Sequence, residues 1–346
     1  MLRAATVSLL ACLLSVPVAL AAEPPGTVSL RDPRLTESSG LVDLGSRWVT
    51  MNDSGDSARL FTLDPVTGRT IGISHFHSNV VDLEALAPSG RSVVWVGDIG
   101  DNGNERASIS VFRVLVGPGR IDVQPRRYRL VYPRGNPDAE SLFADRQGRL
   151  HVITKSFGGG VVYRAPARLS SQRPNRLVAV GAVQEYATDA ALTRDRNHVL
   201  VRGPALAGVY TVPGFQRVTS FALPRQPQGE GISVGPTGLV RVSSEGAHTA
   251  VRQVSLPAAV ATRIGAPVTP TPSPTPSPSA SPSPSATSTP SPTADGSPGA
   301  SPSPVSGDSS QDGVGALDSP WLMWSIPAVI AVGALGIGLG LRRRTD

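Results

Sequence analysis

Five segments of this chain follow one grammar, and that repetition constrains the fold more than any other feature. Each has an acidic opening, a short apolar run, a turn, a β-branched strand and a polar end. The openings are Glu37, Glu84 with Asp82 before it, Glu140 with Asp138 before it, Asp189 and Glu230, so the steps are 47, 56, 49 and 41 residues. The second strands end at Asn52 and Asp53, at Asp98, at Lys155, at Arg202 and at Glu245. A four-stranded propeller blade takes roughly 40 to 50 residues. Two more strand-like runs follow each polar end, as at 59–63 and 70–74, but the fifth copy has room for one only, at 250–256. The run 27–30 can supply the missing outer strand and close the ring. Runs of this kind broken by Gly, Pro, Asn and Asp, without helical periodicity, predict an all-β five-bladed β-propeller over residues 22–262, with six blades as the alternative.

The ends predict an address. Residues 1–21 read as a signal peptide, with Arg3, an apolar run and Ala19-Leu20-Ala21 for cleavage. The one cysteine, Cys12, leaves with it, which excludes a disulfide framework. Residues 263–319 are dominated by Thr-Pro and Ser-Pro, the composition of an extended stalk that cannot bury a core. Residues 320–341 are apolar and begin with Trp321 and Trp324, and the tail 342–346 opens with three arginines. That order predicts a single-pass cell-membrane protein, tethered by its own anchor, with the N-terminal domain outside.

The chain carries a net charge of +6. Setting aside Arg3, Arg342, Arg343 and Arg344 with the acids Asp295, Asp308, Asp312, Asp318 and Asp346 leaves the predicted domain near +7, with the basic residues scattered. Without a basic helix or an aromatic cluster, nucleic acid is excluded as a partner. A cell-envelope polymer or a surface protein fits an exported domain, taken as a monomer.

In an antiparallel blade the first strand starts on the face where the second ends. Glu37, Asp82, Glu84, Asp138, Glu140, Asp189 and Glu230 should therefore crowd one channel mouth, ringed by Asn52, Asp53, Asp98, Asp101, Asn102, Lys155, Arg202 and Glu245. Like carboxylates held close repel unless a proton or a cation intervenes, and calcium suits oxygen-rich loops. Asp82, Glu84, Asp98, Asp101, Asn102, Asp138 and Glu140 form the candidate metal set. Glu37, Asn52, Asp53, Asp189, Arg202, Glu230 and Glu245 form a candidate ligand-binding rim. The same residue types also tie neighbouring blades through backbone hydrogen bonds, and Lys155 also serves to neutralise Glu140. His75 and His77 alternate on one strand face as a further metal pair.

Four strings carry a resemblance: Val-Gly-Asp-Ile-Gly-Asp-Asn at 96–102, Pro-Asp-Ala-Glu-Ser-Leu at 137–142, Thr-Lys at 154–155 and Gln-Gly-Glu-Gly-Ile at 228–232. They resemble strings of secreted actinobacterial propellers in the phytase-like family known as "esterase-like activity of phytase". The likeness runs from Glu37 to Glu245, and departs from the family pattern at Ala85 and Gly231. It implies calcium and basic side chains holding phosphate at the channel mouth, with Asp98, Asp101, Glu140 and Lys155 as counterparts and Lys155 with Asp98 in the catalytic role. Two functions follow: a binding module for an envelope component or partner at an acidic mouth with calcium, or a calcium-dependent phosphoesterase.

Overall fold

The computed structural model describes residues 26–53 and 55–267. The expected signal peptide, membrane span and tail, and all but the first residues of the stalk, lie outside the described residues. The chain divides between Thr275 and Pro276, and everything described belongs to the first unit. Among the described residues no helix is long and apolar enough to cross a membrane.

Five antiparallel sheets are arranged as blades. A short N-terminal strand β1 (Thr27–Ser29) precedes the first blade, β2 (Ser38–Asp43), β3 (Trp48–Asn52), β4 (Arg59–Leu63) and β5 (Thr70–Phe76). The second is built on β6 (Leu83–Pro88), β7 (Val93–Asp98), β8 (Ile109–Leu115) and, after β9 (Gly119–Val123), β10 (Arg127–Val131). The third holds β11 (Ala139–Ala144), β12 (Leu150–Thr154), β13 (Val161–Arg164) and, after β14 (Asn175–Arg176), β15 (Val178–Ala182). The fourth comprises β16 (Asp189–Leu192), β17 (His198–Arg202), β18 (Leu206–Thr211) and β19 (Arg217–Ala222). The fifth has β20 (Gly229–Val234), β21 (Val240–Ser244) and β22 (Ala250–Gln253). Its fourth strand is β1, paired antiparallel to β22 with Val28 opposite Val251. The innermost strands β2, β6, β11, β16 and β20 touch in cyclic order, so the ring is closed with five blades.

Two edge strands escape the repeat. β9 leaves the second blade and adds to the first, parallel to β5, while β14 leaves the third and adds to the second, parallel to β10. The longest step in the repeat, the one of 56 residues, contains β9. Gly72 permits the first crossing, because a Cβ there would strike the Gly117 carbonyl and come within 2.8 Å of the Gly119 carbonyl.

The core consists of five apolar wedges, each between adjacent blades. Strand periodicity produces them: successive side chains leave opposite faces, and both faces of each blade are covered. On β12, Leu150 and Val152 enter the wedge toward the second blade and Ile153 the wedge toward the fourth. On β17, Val199 and Val201 face the third blade and Leu200 the fifth. A helix that the periodicity gave no sign of, α1 (Ala258–Arg263), lays Val260 into the last wedge, together with Ile264 just beyond it.

Candidate functional site at the channel mouth

The register of the innermost strands decides where the acids point. Leu83 pairs with Asp98 and Ala85 with Gly97, leaving Glu84 as an inserted residue. Ala139 pairs with Thr154 and Ser141 with Ile153, leaving Glu140 in the same role. The fifth blade shifts between Gly229 and Ile232, around Glu230. In the first blade the inserted residue is Gly40, held at φ +65°. A bulge re-aims its side chain out of the alternation, and here it repeats around the channel. The fourth blade has no bulge: Asp189 pairs directly with Arg202.

Position for position, Asp189 therefore matches Ser38, Leu83, Ala139 and Gly229 rather than Glu84 or Glu140. It does not reach the mouth as expected. It is fully buried, accepting hydrogen bonds from the Ala190 and Ile232 amides at 2.8 Å. Arg202, expected on the rim, is likewise buried to 0% exposure. It donates to the Gly231 carbonyl at 2.6 Å, the Ser243 carbonyl at 3.1 Å and Gln226 Oε1 at 2.8 Å, joining the fourth blade to the fifth.

The polar residues ending the second strands mostly serve as ties. Asn52 Oδ1 accepts from the Thr36 and Glu37 amides, and its amide donates to the Arg34 carbonyl at 2.7 Å. Asp98 Oδ1 does the same from the Val81 and Asp82 amides and also takes Arg106 at 2.8 Å. Ser244 holds Gln228 in the fifth blade. Each fixes the chain leading into its own first strand. Asp101 folds its loop by accepting from the Glu105 and Arg106 amides, and Asp138 Oδ1 accepts from the Asp101 amide at 2.7 Å. Asn102 is exposed on that loop, and Glu37 on the rim.

Three carboxylates converge. Oxygens of Asp53, Asp82 and Glu84 all lie within 4.8 Å of one another, and among the described residues no other set of three or more His, Cys, Asp or Glu side chains closes this tightly. His75 and His77 are outside it. Gly100 packs against the cluster, since a Cβ there would strike the Asp82 carboxylate and come within 2.8 Å of Glu84 Oε1. Glu140 is ion-paired to Lys155, yet its Oε2 is buried with no hydrogen-bond partner. The Lys155 ammonium also lies 5.2 Å from the centroid of Tyr186, on which the exposed Phe157 stacks at 4.7 Å.

Crowding and burial move these acids together. Burial, reinforced by Asp53, Glu140 and Asp82, pushes Glu84 up to about 11. Burial with Asp53 and Asp138 raises Asp82 to about 6. Burial carries Glu140 to about 8 although Lys155 opposes it, and Glu230 to about 7 against the same lysine. Glu245 rises through burial and the charges of Asp53 and Glu37. Burial works against the Lys155 ammonium, but Glu140 outweighs it and holds its pKa above the ordinary value. The mouth is thus a crowded acidic well in which burial and mutual repulsion favour the protonated carboxyls.

Tyr186, Phe157 and Arg106 were not singled out from the sequence. Arg106 carried a signal, as the base closing an acid-rich loop; Tyr186 and Phe157 come from different blades and had none.

No protein-family model matches the chain, nor does any curated protein. Among solved structures, it is similar to a glutaminyl cyclase from Myxococcus xanthus at 14% identity and TM-score 0.43, covering 67% of this chain and 100% of that one. It is similar to the Dos1 propeller at 15% and 0.35, over 60% and 52% of the two chains. A gluconolactonase from Xanthomonas campestris stands at 13% and 0.38, over 63% and 76%. At these values the similarities carry no argument about activity, and the phytase-like resemblance rests on its sequence strings alone.

Proposed function

We propose that the propeller binds a divalent cation, calcium, through Asp53, Asp82 and Glu84, and uses this charged mouth to hold a component of the cell envelope. The observation that carries the reading is the closure of three carboxylates to 4.8 Å. Oxygen ligands sit about 2.4 Å from calcium, so oxygens this close fit around one ion. The donor set is all carboxylate oxygen, the chemistry calcium prefers over softer sites. The cation would replace the proton that burial keeps on Glu84, turning the well into a surface for anionic groups. Lys155, above Tyr186 and Phe157, lies beside it.

The described propeller ends on the opposite face, because β22 runs away from the mouth and α1 follows it. Asp98, held by two amides and Arg106, leaves the ligand set in this reading. A calcium-dependent phosphoesterase would use the same cation; the pairing of Lys155 with Glu140 favours binding over turnover.

Calorimetric titration of calcium into the chelator-treated full-length chain tests the reading. One saturable site is expected, weakened at least tenfold in Glu84→Gln. Absence of any calcium heat refutes it, and chelator-sensitive hydrolysis of a phosphomonoester by the same preparation selects the enzyme instead.

A further inference from the structure

On the face away from the mouth, a cavity of about 240 Å³ opens between the third and fourth blades. Its walls come from the β11–β12 turn, from β12, β13 and β15, and from the β18–β19 turn. Phe215 enters it from the fourth blade with its backbone at φ +51°, a conformation a bulky residue rarely holds. Its ring lies over Gly181 of the third blade, where a Cβ would come within 2.6 Å of it. Beside Phe215 sits His151, 3% exposed and stacked on Phe143 at 4.7 Å. A carbonyl only accepts, so His151 Nδ1 carries the proton in its 3.2 Å contact with the Arg149 carbonyl.

The charges are unbalanced. Arg149 is bound to Asp145 at 3.0 Å, and Asp145 also accepts from two backbone amides. Arg164, half-buried, and Arg146, exposed, also line the cavity, and neither guanidinium has a hydrogen bond or ion pair among the described residues. Nearby Asp195 is taken by Thr193 and His198. Two uncompensated guanidiniums therefore face a pocket whose other wall is Phe215, Val180 and Val212. A phosphate monoester carries about two negative charges near neutral pH and accepts guanidinium forks bidentately, whereas a monocarboxylate balances half the charge.

We propose that this cleft is a second ligand site, for a small organic phosphate, separate from the channel mouth. The two free arginines hold the phosphoryl oxygens, and the carbon skeleton lies against Phe215. The ligand comes free in solution or as a lipid headgroup, and the experiment has an arm for each.

Glycerol 3-phosphate is titrated calorimetrically into the full-length chain with chelator present, so that failure of the calcium reading does not affect the result. One site per chain is expected, at least tenfold weaker in Arg164→Met and in Arg146→Met, unchanged in Glu84→Gln, and at least tenfold weaker for lactate. Arg146 is exposed, so its variant folds even where Arg164→Met does not. In the second arm, vesicles containing phosphatidic acid, whose headgroup is a phosphate monoester, bind the chain and glycerol 3-phosphate displaces them if the source is a headgroup; no displaceable vesicle binding assigns a soluble ligand. Wild-type affinity in Arg146→Met, no saturable glycerol 3-phosphate binding, or equal affinity for lactate overturns the proposal.

Discussion

Replacing Glu84 by Gln should stabilise the metal-free protein, which is the reverse of what removing a buried charged group usually does. Glu84 is 3% exposed, and its pKa rises from an ordinary 4.5 to about 11. A carboxyl that holds its proton more tightly folded than unfolded makes the folded chain bind the extra proton, so stability falls as pH climbs above about 4.5. Near pH 7 the folded side chain is still neutral, while the unfolded one gains from ionising over 2.5 pH units, on the order of 3 kcal/mol. Glutamine is the neutral isostere and has no such gain on unfolding. For a domain of this size that is roughly 6 to 12 °C in melting temperature. The assay is a thermal melt of wild type and Glu84→Gln in chelator and in excess calcium, at mildly acid and neutral pH. Wild type should melt lower as pH rises in chelator and recover with calcium. The variant should melt higher in chelator, with a shallower pH slope than wild type, the remainder coming from Asp82, Glu140 and Glu230, and little response to calcium. A variant that melts below wild type in chelator at neutral pH, or keeps the full calcium response, refutes the reasoning.

Lys155→Met removes the cation beside Glu140, which then stays protonated; stability followed by thermal melting should drop by about 1 to 2 kcal/mol, while calcium affinity by calorimetry rises because a like charge has left. Arg202→Met leaves the Gly231 and Ser243 carbonyls and Gln226 Oε1 without their donor and removes the positive charge near the buried Asp189. Unfolding by denaturant should show a loss of about 3 kcal/mol. Deleting residues 26–30 exposes the edge of β22, and chemical denaturation should become broader or shift to lower denaturant as the ring opens. In chelator, wild-type stability should decline from about pH 4, where the unfolded carboxyls ionise, with the contributions of Asp82, Glu230 and Glu140 ending at about 6, about 7 and about 8, and excess calcium should reduce that decline.

The polar residues that open the repeats and those that end the second strands divide by backbone register into two kinds. Glu84, Glu140 and Glu230 stand at or next to bulges, carry raised pKa values and influence one another across the channel. Asp98 and Asn52 lie in regular pairing and each spends its Oδ1 on two backbone amides. The former are held short of ionisation by burial and mutual repulsion, which a cation can relieve; the latter are tied to backbone amides, which fixes the chain entering each first strand.

The blade count, the strand order and the closure by 27–30 were legible in the chain itself, because a repeated alternation of apolar strands and turns has few ways to bury both faces of every sheet. The side on which the acids gather followed from the same argument. The strand exchange by β9 and β14 was hidden, since it pairs segments distant in the chain, the first through the close approach at Gly72. So was the difference between Asp189 and Glu84, which look alike in sequence and part company through one inserted residue. Only the folded ring brings Asp53 from one blade to Asp82 and Glu84 from the next, because carboxylate separation is set by register and twist, and neither is written in the order of residues along the chain.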